Sequence, residues 1–149
     1  MSRATIINGA YSAINTYWLA SNGFAWDMVK PEQLARSFDE VSASQKPWCG
    51  VYPGVETYEY MPSNRMACNL ELIVLIHVDE KTLSARITKI EQAIDGIVKA
   101  LRQEVLCAYG AISTTLTSIE TDEGDPGAYN QGSLVARLTV RYLRDEPTS

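Results

Sequence analysis

At 149 residues the chain is the size of one ordinary domain, and 46% hydrophobic with 21% charged residues makes it globular rather than disordered. Thirteen Lys and Arg against eighteen Asp and Glu leave a net charge of −5 and a pI near 4.9, which argues against a protein that mainly grips nucleic-acid phosphates. Three cysteines are too few for a disulfide framework, so a reducing compartment such as a cytoplasm is expected.

Asn8, Ser12, Asn15 and Thr16 interrupt the first apolar residues, where a secretory segment needs a continuous run. The charge-free stretch from Ala4 to Trp26 also holds Ser21, Asn22 and two glycines, so it does not read as a membrane span and a soluble protein is expected. Ile6, Ile7, Ala10, Ile14, Tyr17 and Trp18 instead recur at helical spacing and predict an amphipathic helix stopped by Gly23. Its other face, with Ser2, Asn8, Ser12 and Asn15, carries no charge: either a plain polar surface or a face that meets another chain.

Phe24 to Lys46 has little rhythm. Pro31 suits the first position of a short helix, Pro31 to Phe38, and Ser42 to Gln45 reads as a loop. Pro47 to Tyr52 is strand-like, and Pro53-Gly54 is turn chemistry. From Met66 to Val78 the period is two: Met66, Cys68, Leu70, Leu72, Val74, Ile76 and Val78 share one face. The other face turns apolar midway, which predicts a long strand buried on both faces near its end.

Asp79 or Thr82 can cap the next helix, whose apolar stripe is Leu83, Ile87, Ile90, Ile94, Ile97, Leu101 and Val105. Arg86, Lys89, Gln92, Lys99 and Arg102 are placed opposite, with Asp95 and Lys99 as an i, i+4 pair and Gly110 as the stop. Ile112 to Thr121 has strand composition, Asp122 to Gly132 is an arrhythmic loop, and Leu134 to Leu143 alternates as a last strand. The expected fold is α+β: a mixed, mainly antiparallel sheet of about four strands with two amphipathic helices packed on one face. Residues 1–144 form one domain in this reading, and 145–149 a frayed tail.

No phosphate loop, nucleophile elbow or dinucleotide fingerprint occurs, so neither an enzymatic role nor a cofactor is expected. The one histidine, His77, falls inside a strand pattern and reads as structural. Cys49, Cys68 and Cys107 sit in apolar patterns as small hydrophobes. Glu120, Asp122, Glu123 and Asp125 could supply oxygen ligands to a hard cation, but their spacing misses the twelve-residue calcium loop, so a solvated or partner-facing loop is expected. Trp26, Trp48, Tyr52, Tyr58 and Tyr60 gather around the least regular third of the chain, and aromatics are enriched at protein interfaces.

The order of elements, with Pro47-Trp48-Cys49-Gly50-Val51-Tyr52 before the long strand Leu70 to Val78, resembles the tail terminator proteins of long-tailed bacteriophages, the lambda-like minor tail protein U family. The acidic turn Ile119-Glu120-Thr121-Asp122-Glu123-Gly124, a loop, and the final strand ending Val140-Arg141-Tyr142 carry the resemblance further. Phe24 to Lys46 departs from it, being longer than the connection such proteins use. The resemblance implies a structural virion protein, made in the host cytoplasm and located at the head-proximal end of the tail. It implies a six-membered ring of identical copies that caps the completed tail tube, stops its polymerisation and offers the head-joining surface. The implied partners are further copies of the chain, the major tail tube protein, neck or connector proteins, sheath protein where the tail is contractile, and genome DNA passing through without sequence-specific contact. The expected contacts lie on Glu120 to Gly132 and Tyr52 to Arg65, read as segments projecting from the sheet, with Glu120, Asp122, Glu123, Asp125, Tyr129, Tyr58, Tyr60 and Arg65 as interface residues. A head-completion ring, a small metal-dependent enzyme with an acidic site, and a generic α+β interaction module are the alternatives.

Overall fold

Ser2 caps the first helix, α1 (Arg3–Tyr17), its side chain accepting the Thr5 N–H at 3.2 Å. The structure is a computed structural model describing residues 2–28, 31–62, 64–124 and 130–145. Helix α1 buries Ile6, Gly9, Ala10, Ala13 and Ile14 and ends at Trp18, before the expected stop. Gly23, at φ 88°, closes a separate 3₁₀ turn over Ala20–Asn22 instead.

The helix expected over Pro31 to Phe38 does not form. The chain there is used as an edge guard: the Glu32 N–H donates to the Cys49 carbonyl at 2.9 Å, and the Val51 N–H donates to the Glu32 carbonyl at 2.7 Å. Two 3₁₀ turns follow, Phe38–Glu40 and Ala43–Gln45, each closed by a side chain reaching back to a serine, Glu40 to Ser37 and Gln45 to Ser42. The Ser-x-x-Glu and Ser-x-x-Gln spacings are the sequence signal for these turns.

Strands β1 (Trp48–Met61) and β2 (Arg65–Asp79) form a long antiparallel hairpin. Pro53-Gly54 is therefore not a turn; the register shifts between Pro53 and Glu56, a bulge within β1. Proline is tolerated there because β1 is an edge strand. Of the segment Tyr52 to Arg65, Tyr52 and Pro53 pair with Ile73 and Leu72 within the sheet, the part from Thr57 onward is exposed, and Ser63 lies outside the described residues. The even residues of β2 from Cys68 to Val78 are buried, as their period predicts, and Ala67, Ile73 and His77 are buried on the opposite face.

Thr82 is the N-cap of helix α2 (Leu83–Ala100), accepting the Ala85 N–H at 3.1 Å. The helix stops at Leu101, and a short α3 (Gln103–Leu106) and a 3₁₀ turn lead to Gly110 at φ 96°. Its buried face is Arg86, Ile90, Ala93, Gly96, Ile97 and Ala100, rotated from the expected stripe, so Leu83 and Ile87 are exposed. Small residues set this face: Gly96 lets the Trp18 ring lie directly against the helix backbone. Lys99 does not pair with Asp95 but donates to the Asn22 carbonyl at 3.0 Å and covers the Phe24 ring.

Strands β3 (Ser113–Asp122) and β4 (Gln131–Asp145) complete a sheet of order β1-β2-β4-β3, antiparallel at every strand pair. Among the described residues the single parallel pairing is the Glu32–Gly50 bridge at the β1 edge. Because β4 lies between them, β2 and β3 run parallel and α2 is the crossover connecting them. The fold is α+β, and the main core joins α1 and α2 to the inward residues of β1, β2 and β4. Among the described residues no helix is long and apolar enough to cross a membrane.

A smaller core lies on the opposite face. The segment before β1 folds over it, so that Val41, Trp48 and His77 are buried. His77 stacks on Trp48 at 5.3 Å and meets the Phe38 ring edge-on at 5.7 Å. Its Nε2 donates to the Arg36 carbonyl at 2.7 Å, while Nδ1 is buried with no partner. Burial, helped by the Lys46 charge, holds the imidazole below its ordinary value of 6.5 despite the Arg36 hydrogen bond. The unfolded chain therefore binds this proton more readily than the native one. Stability from this group is complete above about pH 6.5 and is lost as pH falls below it. Urea titrations between pH 7.5 and 5.5 are expected to show this decline in the wild type, and a clearly shallower one in His77→Gln. Equal slopes would remove His77 from the account.

Candidate interaction surfaces

Register along the sheet separates the expected contact residues into two groups at opposite ends. Tyr60 lies opposite Met66, whereas Asp122 lies opposite Ser133, which pairs with His77. Met66 and His77 are eleven residues apart on β2, which is roughly 35 Å of strand. The tyrosines and the acids therefore form separate surfaces.

The first surface is the three-stranded end where β1, β2 and β4 run past β3. Here β1 is exposed from Thr57 onward, with Tyr58 50%, Tyr60 75% and Met61 42% accessible. Tyr58 and Tyr60 share the helix-bearing face with Cys68 and Tyr142, but neither helix reaches far enough to cover them. Arg65 opens β2 opposite Met61 and Asp145 and is exposed. Glu56, displaced by the bulge, accepts the Tyr142 hydroxyl at 2.9 Å, and burial followed by this carboxylate pushes the Tyr142 phenol above its ordinary value. Tyr58 is raised as well, chiefly by its own hydrogen bond to Glu56. Sequence spacing could not find this cluster, because the bulge shifts Glu56 out of the alternation that Trp48 to Pro53 establishes.

The open face of the same sheet carries paired charges. Arg141 reaches Glu59 at 2.8 Å, and Arg137 reaches Glu71 at 3.2 Å. These part-exposed pairs contribute little stability, but they leave two cations already partnered by carboxylates.

The second surface is the acidic end. Glu120 and Asp122 are exposed residues of β3 itself, not of a loop, and Asp122 Oδ1 accepts the Gly124 N–H at 2.9 Å. Glu123 is half-buried, and its carbonyl accepts from Arg86 Nε at 2.6 Å. Asp125 and Tyr129 lie outside the described residues. Arg86, placed on the solvent side by the sequence reading, is the residue that anchors this turn. Its spacing to Ile90, Ala93 and Ile97 is the signal for that placement, once alanine and glycine count as core-facing.

Burial pushes the Cys49 thiol up to about 12 and raises Cys68, so neither is a nucleophile near neutral pH. Cys107 is exposed, contrary to its expected apolar setting. Among the described residues no three His, Cys, Asp or Glu side chains gather as metal ligands. No family model matches the chain, and no curated protein matches it.

Proposed function

We propose that this chain is a structural ring subunit of a phage virion, a tail terminator that caps the finished tail tube as a hexamer and offers the head-joining surface. The observation that carries the reading is the division of the sheet into two chemically different ends, tyrosine-rich and acidic, separated by two unlike edges, β1 and β3. A subunit packed side by side in a ring uses its edges for its neighbours and keeps its ends for two axial partners. The paired arginines of the open face and the net charge of −5 suit a conduit through which DNA passes without sticking.

The test is native mass across a concentration series with imaging of large species, followed by addition of purified tail tubes and of DNA-filled heads. A six-membered ring, or recruitment to tube ends, is the expected result. Binding to heads alone would transfer the chain to the neck. A monomer that neither particle recruits would end the ring reading.

A further inference from the structure

The two edges of the sheet are protected unequally. Among the described residues the guard segment bonds to β1 only at Cys49 and Val51, which leaves Tyr52–Met61 open along that edge. Strand β3 is exposed along most of its length, carries no proline, and has no charge before Glu120. Unpaired edges are ordinarily blunted by lysine, proline or a covering segment, so a bare neutral edge marks a strand that has a partner in the working state.

The two edges also match in their main-chain groups, which alternate along a strand between facing the sheet and facing out. The guard bonds show that Cys49 and Val51 face out on β1; counted through the bulge, so do Glu56, Tyr58 and Tyr60. At the other edge Arg141 turns its carbonyl towards β3, accepting the Ile112 N–H at 2.7 Å. Ser113, opposite Arg141, therefore faces inward, and Thr114, Leu116, Ile119 and Thr121 face out. On both edges the outward residues carry their side chains on the helix-bearing face. Because β1 and β3 run in opposite directions, a second copy set alongside in the same orientation continues the antiparallel ladder with its helices on the same side.

Length then fixes the register. Strand β3 has 10 residues, and the open stretch Tyr52–Met61 has as many, each interrupted by one bulge. Laid antiparallel, Ser113 meets Met61 and Asp122 meets Tyr52, beside the Glu32–Gly50 bridge where the guard segment blocks further sliding. Tyr58 then stands against Leu116 and Tyr60 against Thr114, while Glu120 and Asp122 fall opposite Gly54-Val55 and Tyr52, which carry no charge. Leu116 and Ile112, 37% and 49% exposed, gain aromatic neighbours across the new strand pair. Within one copy Thr114 is level with Glu56, so pairing it with Tyr60 offsets each copy by four residues, about 13 Å, over a sheet about 19 Å wide. The strands then tilt by roughly 35° to the axis relating the copies, the tilt at which strand arrays close.

We propose that β3 of one copy adds as a strand to the open stretch of β1 in the next copy, in the register that sets Tyr58 against Leu116. This deepens the ring reading and rests on it, by naming the two edges and the register of a heterologous contact. Every copy keeps one edge of each kind free until the ring closes. Pairing of β3 with β3 about a two-fold axis would leave Tyr58 and Tyr60 uncovered.

The test uses the full chain with Cys107→Ser, which removes the exposed native thiol. One preparation carries Tyr58→Cys and another Leu116→Cys, both at exposed positions. Directly opposite residues of such a pair lie about 5.5 Å apart at Cα, within disulfide reach. Under mild oxidation, at concentrations where the wild type assembles or on added tail tubes, the two are expected to link to each other and neither to itself. Thr121→Cys, placed opposite Pro53 by the register, should not link to Tyr58→Cys. Leu116→Lys and Tyr58→Lys blunt one edge each, and each is expected to weaken self-association tenfold or more while circular dichroism shows the fold retained. Their mixture should stop at one-to-one dimers. If the wild type forms a closed ring, the cysteines do not link and both lysine variants still close it, the edge pairing is overturned while the ring stands. Leu116→Cys linking to itself would mean that β3 pairs with β3, and would overturn it too. If the wild type stays monomeric at every concentration and on added tail tubes, both readings fall.

Discussion

Arg86→Ala is expected to lower stability by about 3 kcal/mol and Tm by roughly 6–12 °C. The side chain is 4% exposed and spans two segments: Nε donates to the Glu123 carbonyl at 2.6 Å, and the guanidinium donates to the Glu80 carbonyl at 2.9 Å. Hydrogen bonds from a charged donor contribute about 1.5–3 kcal/mol each, and alanine would leave both carbonyls unpaired beside a void. Relief from burying the charge offsets part of that loss. Arg86→Lys, with a shorter reach and no fork, should recover less than half. Urea unfolding measures the total, and hydrogen exchange at the Gly124 amide should accelerate, because Arg86 ties the end of β3 to the exit of β2. A loss below about 0.5 kcal/mol would mean that water replaces the guanidinium at both carbonyls.

The same residue shows where sequence pattern runs out. Strand β2 was legible because its buried side alternates without a break from Cys68 to Val78, and nothing competes with that rhythm. Helix α2 was legible as a helix but not as to which side it buries. Counting large apolar residues selects Leu83 and Ile87, which are exposed, whereas packing selects Ala93, Gly96 and Ala100, whose small size admits the neighbouring element. Periodicity weighs residues by hydrophobicity; close packing weighs them by shape.

The candidate surfaces were half legible for a related reason. Tyr58, Tyr60, Glu120 and Asp122 are exposed as expected, but they stand on strands β1 and β3 rather than on loops. Pro53-Gly54 carries the chemistry of a turn, and the chain uses it as a bulge, because hairpin pairing on both sides outweighs the local preference. The two 3₁₀ turns of the guard segment carry Ser-x-x-Glu and Ser-x-x-Gln signals, but its placement against β1 and His77 was beyond reach. Its contacts with Cys49, Val51 and His77 are long-range and largely through backbone, which leaves no residue pattern to read.

Trp18→Ala is expected to cost about 4 kcal/mol, and its partner Gly96 should reverse the sign of its own response in that background. Trp18 is 1% exposed, stacks on Phe24 at 5.5 Å and meets Trp26 at 6.1 Å. Its ring fills the space that a side chain at position 96 would occupy. In an ordinary helix interior, glycine to alanine gains about 1 kcal/mol, since alanine restricts the unfolded chain and favours the helix. Here the added methyl would overlap a rigid indole held on both sides, and overpacking of that kind costs about 1–3 kcal/mol. Gly96→Ala alone is therefore expected to destabilise by about 1 kcal/mol. Once Trp18 is alanine the obstacle is gone, and the same substitution should stabilise by about 1 kcal/mol, giving a coupling near 2 kcal/mol in a double-mutant cycle. Chemical denaturation of the four proteins measures it. Additive effects would mean that α1 and α2 separate enough to admit the methyl, and that Trp18 owes its burial to Phe24 and Trp26 rather than to the notch in α2.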